Sequence, residues 1–177
     1  FRSSQFPGEE HLAIHLGEFG AKQNEKSKAL VRIHSECFTG DVFGSLRCDC
    51  GEQLDHSMKK IVERGQGILI YLKQEGRGIG LSEKLRAYAL QEQGMDTVEA
   101  NLELGHLADA RNYEFAGHIL NYFGISDLEL LTNNPAKLNA LTALGFNVLR
   151  SPLVVSPNDF NLRYHKTKKE KMGHLLF

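Results

Sequence analysis

Along the chain, short runs of β-branched and aliphatic residues alternate with stretches whose apolar positions recur at helical spacing. The runs predict strands at 11–16, 29–34, 67–73, 128–132 and 147–150. Between them, Leu54, Met58, Ile61 and Val62 share one helical face, with Gly65 as the stop. Leu81, Leu85, Tyr88 and Ala89 do the same over 81–93, before Gly94, and Phe115, Ile119, Leu120 and Phe123 over 114–123, before Gly124. A further helix starts at Asn134-Pro135, an N-cap followed by proline at the first helical position. The alternation predicts an α/β fold in which a mixed β-sheet is layered with helices. The polar end 158–177, with Lys166-Thr-Lys-Lys-Glu-Lys-Met172, reads as a solvated helix or a mobile end, phosphate binding being the other use of its lysines.

At 177 residues the chain reads as a single domain over 1–177, long enough to bury a sizeable core. A net charge of −1 and a pI of 6.8 supply no general basic field, which argues against nucleic acid as partner. The longest purely apolar stretch, 68–72, is far short of a membrane span, and residues 1–10 lack the apolar segment of a signal peptide. With reduced cysteines, these features predict a cytoplasmic protein that engages no membrane. The chain starts at Phe1 and not at Met, which leaves room for a trimmed N-terminus or an upstream domain.

The chemistry starts at the only three cysteines, Cys37, Cys48 and Cys50. An odd count argues against a disulfide framework, and Cys48 and Cys50 are too close to bridge each other easily but well placed to grip one ion. Three thiolates suit Zn²⁺, which takes four protein ligands when structural and three plus a water when catalytic. A missing fourth cysteine favours the second arrangement. His34, three residues before Cys37, is the candidate fourth ligand of the closed alternative.

Three junctions between strands and helices are unusually polar, and helix N-termini offer N–H groups to anions there. In Gln74-Glu-Gly-Arg-Gly-Ile-Gly80 the glycines permit close backbone approach, while Glu75 and Arg77 supply an acceptor and a fixed cation. The loop invites a dinucleotide-binding reading, with Asp96 as the ribose acid, but its glycines are spaced one residue short of that fingerprint. A Walker phosphate loop is absent. The second junction, Leu131-Thr-Asn-Asn-Pro-Ala-Lys137, holds Thr132 and Lys137, and the third runs from Asp96 through Thr97 to Asp109 and Arg111.

Taken in order, Arg32-Ile-His-Ser-Glu-Cys-Phe-Thr-Gly-Asp41, Arg47-Cys-Asp-Cys-Gly51, Gln74-Glu-Gly-Arg-Gly-Ile-Gly-Leu81, Arg86-Ala-Tyr-Ala-Leu-Gln91, Asp96-Thr-Val-Glu-Ala-Asn101, Leu131-Thr-Asn-Asn-Pro135 and Lys171-Met-Gly-His-Leu-Leu176 resemble GTP cyclohydrolase II. The likeness runs from His11 to Phe177. It implies a homodimer with one Zn²⁺ per subunit, and Mg²⁺ at the phosphates. The implied reaction takes GTP and water to 2,5-diamino-6-ribosylamino-4(3H)-pyrimidinone 5′-phosphate, formate and pyrophosphate, opening riboflavin biosynthesis. By resemblance, Cys37, Cys48 and Cys50 hold zinc. Arg32, Ile33, His34, Ser35, Glu36, Gln53, Glu75, Gly76, Arg77, Thr97, Thr132 and Lys137 contact the nucleotide. Asp109 becomes the proton acceptor, Arg111 the nucleophile holding the nucleotidyl group, and Tyr88 serves ring opening. A guanidinium stays protonated in proteins, so stabilisation of phosphate charge is an equal reading of Arg111. Either Glu36 or Glu75 could read the guanine N–H groups. His165 departs from the aliphatic or aromatic residue usual at its place. Some members are fused to dihydroxybutanone phosphate synthase, which would account for the missing start.

Overall fold

The structure, a computed structural model, describes residues 1–2, 10–19 and 28–176. Strands β1 (Leu12–Leu16), β2 (Ala29–Ser35), β3 (Gly67–Leu72), β4 (Asp127–Leu131) and β5 (Asn147–Ser151) form one sheet in the order β1-β3-β2-β4-β5. All five lie within one residue of the predicted bounds. β1 runs antiparallel to β3, and the remaining pairs are parallel, so the sheet is mixed.

Strand alternation sorts the two faces. Val31, Ile33, Ile68, Ile70, Leu128 and Leu130 point to one side and pack with Ile119 and Leu120 of α5 (Glu114–Tyr122) and Leu141 of α6 (Pro135–Ala143). Leu30, Leu69 and Leu131 point to the other and meet Ile61 and Leu54 of α2 (Cys50–Arg64). Each fully buried Leu or Ile contributes about 1.5–3 kcal/mol relative to exposure, so these positions hold the sheet between its helices. Arg32 and His34 share the second face with Leu30, at the end of β2 where α2 begins and the core gives way to polar groups.

The remaining helices are α1 (Phe38–Asp41), α3 (Leu81–Glu92), α4 (Thr97–Glu103) and α7 (Leu162–Met172). Asn134 caps α6 as expected, its Oδ1 accepting from Ala136 N at 2.9 Å. Two expectations need correction, and the disfavoured ribose-acid reading of Asp96 is closed. On α3 the buried residues are Lys84 and Ala87, while Leu81 and Leu85 are 37 % and 52 % exposed, because the helix packs against α4 and a polar loop and not on the apolar core. Asp96 is the N-cap of α4, in a capping box with Glu99, and it takes a salt bridge from Lys171, so it has no lone pairs reserved for a ribose. The charged tail is a helix solvated on one side only: His165, Thr167 and Lys168 of α7 are buried.

From β2 the chain crosses through α2 to β3 on one side; from β4 it crosses through α6 to β5 on the other. Connections leaving in opposite directions open a crevice beyond the strand ends, the usual ligand site of such sheets. The loops after β2, β3 and β4 all converge there.

Candidate active site

The loop after β2 is organised by Asp41, whose Oδ2 accepts from Cys37 N at 3.0 Å and from the Tyr71 hydroxyl at 2.8 Å. His34 Nε2 donates to Asp41 Oδ1 at 3.0 Å, and its ring stacks on Tyr71. Burial, helped by Arg32 and Lys137 and opposed by Asp41, lowers the His34 pKa. The ring is thus committed to Asp41, which leaves the three sulfurs without a histidine among them.

Cys50 is the first residue of α2, and Cys48 lies one residue before its N-cap, Asp49. The three sulfurs lie within 4.8 Å of one another, with Cys37 and Cys48 3.6 Å apart. Gly40 lies beneath them: a Cβ there would come within 2.9 Å of Cys48 Sγ and 3.2 Å of Cys37 Sγ. Hydrogen bonds from Cys48 and Cys50 hold the Cys37 thiol far down, while the same bonds push Cys48 up to about 11 and Cys50 well above the ordinary thiol range. One ionised sulfur therefore disfavours ionisation of the other two, a repulsion that a multivalent cation bound among them would offset. All three cysteines are free, and among the described residues they form the one group of at least three potential metal donors. Donor set and cradle fit a soft divalent ion.

Lys84 completes this centre, its Nζ lying 3.2 Å from Cys37 Sγ and 2.8 Å from Glu75 Oε1. Three thiolates around a divalent ion leave one excess negative charge, and the buried ammonium offsets it. Lys84→Gln should lower metal affinity by roughly 10- to 100-fold, the usual effect of losing such a supporting group. Competition with a chromophoric chelator measures it; unchanged affinity would show that the cluster does not need the ammonium.

Beyond β3, Glu75–Gly78 form a tight 3₁₀ turn in which Gly76 and Arg77 have φ of +62° and +64°. Arg77 is the only non-glycine with positive φ among the described residues, a conformation costing about 1–3 kcal/mol. Its carbonyl accepts from Ala110 N at 3.0 Å, which holds the strained turn and leaves the guanidinium lining the cleft. The glutamates divide. Glu75 Oε2 accepts from Phe38 N at 2.5 Å, and Oε1 accepts from Gly76 N at 2.6 Å and from Lys84, so this carboxylate braces the loops. Among the described residues Glu36 pairs only with Lys73, at 3.8 Å, and it lines the cavity that also holds Cys37, Cys48 and Tyr88; burial pushes its carboxyl up. Tyr88, four residues after Lys84 and thus on the same helical face, places its hydroxyl 3.4 Å from Thr39 Oγ1.

A second cleft opens between the ends of β2 and β4. Arg32 donates to Leu131 O at 2.9 Å and to Gln53 Oε1 at 2.7 Å, and Gln53 Nε2 donates to Asp49 at 2.5 Å. Lys137 is buried in the first turn of α6, with Nζ 2.8 Å from Ile33 O. Burial and the cations Arg32 and Arg111 hold its pKa well down, and burial brings even Arg32 to about 10. Arg111 forks onto Asp109, with Nε donating to Oδ1 at 2.8 Å and Nη2 to Oδ2 at 2.5 Å. Burial opposes both charges, yet the pair outweighs it, raising Arg111 and lowering Asp109. The two clefts share Ser35, Cys50, Arg77, Arg111 and Tyr164.

Most of the residues singled out from the sequence converge on these clefts. Ile33 does not: its side chain is fully buried in the core on the opposite sheet face, and only its carbonyl serves the site, by fixing Lys137. Asp109 acts behind Arg111. Thr132 Oγ1 accepts from Asn134 N at 3.0 Å and shapes the turn into α6, and Thr97 is the first residue of α4 at the rim of the metal cavity. Sequence reasoning missed Lys84, Asp41 and Asp49, and named Lys168 only among the tail lysines, without its partner. Asp49 accepts from Lys168 Nζ of α7 at 2.5 Å; lying between two cysteines, it had one signal, that whatever pairs with it is tied to the metal loop.

The profile of the GTP cyclohydrolase II family matches residues 1–151. The GTP cyclohydrolase-2 of Acinetobacter baylyi is 55% identical over 169 residues, 95% of this chain and 83% of that protein. The riboflavin biosynthesis protein RibBA of Parabacteroides distasonis is 51% identical over 170 residues, and that of Porphyromonas gingivalis 53%. Both alignments cover 96% of this chain, which spans 41% of the RibBA proteins' length.

Proposed function

The chain belongs to the GTP cyclohydrolase II family, and from that premise we propose that it converts GTP and water to 2,5-diamino-6-ribosylamino-4(3H)-pyrimidinone 5′-phosphate, formate and pyrophosphate, the first step of riboflavin biosynthesis. The observation that carries the reading is the joining of the thiolate cavity to the cationic cleft through shared walls, so that one nucleotide spans both with its base at the sulfurs and its phosphates among the arginines and lysines. Cys37, Cys48 and Cys50 would hold Zn²⁺, which when bound supplies Lewis acidity and makes water nucleophilic at neutral pH.

In this reading one water is spent at the α-phosphorus and two at C8 of guanine, the first opening the ring to a formamide and the second releasing formate. Arg32, Arg77 and Arg111 hold the phosphates. Arg111 stabilises charge there, its guanidinium held in place and kept protonated by the fork onto Asp109. Tyr88 moves a proton or holds one at the opening base. Glu36, with lone pairs to spare, accepts from guanine N1–H and the 2-amino group, while Glu75 stays behind the site as a brace. Gln53 orients Arg32, and Lys137 adds positive charge once a phosphate offsets its neighbours. Ser35 and Gly76 line the thiolate cavity that takes the base and His34 lines the cationic cleft, with Thr97 and Thr132 at the edges.

Mg²⁺ accompanies the phosphates in this proposal, and the enzyme works as a cytoplasmic homodimer with the whole chain as one catalytic domain. Exposure of Val42, Phe43 and Leu46 in the metal loop supports a second copy covering it. No described helix is long and apolar enough to cross a membrane.

Incubation of zinc-replete protein with GTP, following formate and pyrophosphate separately, tests the reaction; no formate from fully metallated protein would end the proposal. The base reading has its own test. Glu36→Gln keeps the shape but puts an amide opposite two donors, so kcat/KM for GTP should fall by roughly 10²-fold or more. Metal content should be unchanged. If Glu75→Gln alone causes that fall while Glu36→Gln is silent, the assignment of the two carboxylates is reversed.

A further inference from the structure

The cationic cleft has a wall that the reading above does not use. Buried polar atoms nearly always find partners, and those that do not mark strain or a missing ligand. Among the described residues Arg32 Nε, Arg77 Nη2, Asn134 Nδ2 and His174 Nε2 are buried and unpartnered, and all four residues line this one cleft. The first three atoms are obligate donors and the fourth donates in one tautomer. Five basic side chains, Arg32, Arg77, Arg111, Lys137 and Lys168, line it; Asp49 pairs with Lys168 and Asp109 stands behind Arg111, which leaves Arg32, Arg77 and Lys137 without a carboxylate partner among the described residues. Converging donors with nothing to donate to, in a field of unbalanced positive charge, call for a polyanion.

Two of these groups, Lys168 and His174, come from the C-terminal element, and that element is fixed. Lys168 is anchored on Asp49, between two of the metal-binding cysteines. Gly173 ends α7 in the left-handed region, at φ +63°, and reverses the chain. The returning segment is stitched to the loop after β4: Leu175 N donates to Asn133 O at 2.8 Å, Arg150 Nη2 donates to Leu175 O at 3.0 Å, and Leu176 is buried. His174 is held between these ties with its Nε2 unsatisfied. Its imidazole is brought down to about 3, first by burial and then by Lys168, Arg111, Lys137 and Arg77.

We propose that the C-terminal helix and the turn after it close the cleft as a phosphate-binding wall, with His174 Nε2–H donating to the β,γ-phosphates of the bound nucleotide and Lys168 setting their charge while tying this wall to the metal loop. The assignment deepens the reading of the site as one for GTP and rests on it. It also makes α7 part of the substrate site and not a solvated appendage.

The test is His174→Ala and His174→Gln in the full metallated chain, with pyrophosphate and guanosine as separate probes. Loss of one hydrogen bond to a charged partner should weaken pyrophosphate and raise KM for GTP by roughly 10- to 100-fold, leaving guanosine affinity and metal content unchanged. The glutamine variant, which keeps a donor, should recover part of the loss. Wild-type pyrophosphate affinity in His174→Ala, or equal weakening of pyrophosphate and guanosine, overturns the proposal. Neither outcome depends on formate release, so the wider reading stands or falls separately.

Discussion

Cys48→Ser protein should be recovered without its metal ion and should release formate at least about 10³-fold more slowly than the parent, more than the loss of one fixed electrophilic donor causes. A serine hydroxyl stays protonated at neutral pH and offers a hard oxygen where the ion needs a soft anion, leaving two sulfurs that already compete for one negative charge. The fold should survive. Asp41 keeps its bonds to Cys37 N, Tyr71 and His34, and Asp49 keeps Lys168 and Gln53, so the loop retains its frame without the ion. Metal content by elemental analysis, formate release and the far-ultraviolet circular dichroism spectrum check the three parts. A variant that keeps a full equivalent of metal and normal formate release would remove Cys48 from the centre.

How far the sequence reached can be traced through single residues. The five strands were legible because each carries a short β-branched or aliphatic run, and Asn134-Pro135 marked the start of α6 by local chemistry alone. The cysteine cluster was legible because soft ligands are rare enough that three together carry meaning. Lys84 was not, since a lysine on an amphipathic helix is ordinarily a solvated group, and only the fold shows Cys37 and Glu75 waiting for it. The same cause misplaced the buried side of α3: leucines at helical spacing signal a core face, but this helix turns toward a polar site, where Lys84 and Ala87 are the buried residues. Lys168 and Asp49 are 119 positions apart, and no periodicity connects them. The capping role of Asp96, by contrast, was readable from Glu99 three residues on, the spacing of a capping box.

Tyr88→Phe should separate the two halves of the reaction. The hydroxyl stands over the thiolate cavity, 3.4 Å from Thr39 Oγ1, which in turn lies 3.7 Å from Cys37 Sγ, whereas Arg32 and Lys137 belong to the other cleft. Burial raises the phenol's pKa further above neutrality, so in the proposed reaction Tyr88 would serve as a proton donor or as a relay and not as a standing base. Removing only the oxygen keeps the ring, and with it the packing of Arg47 and Lys84 over its face. Formate and the diaminopyrimidine should therefore fall by about 10²- to 10⁴-fold, the range of a lost proton transfer, while pyrophosphate continues to appear from GTP at a rate near that of the parent. Tyr88 is not among the residues that line the phosphate cleft, so a matched decline of both products would mean that Tyr88 supports binding or local structure, and its place in the ring-opening chemistry would have to be given up.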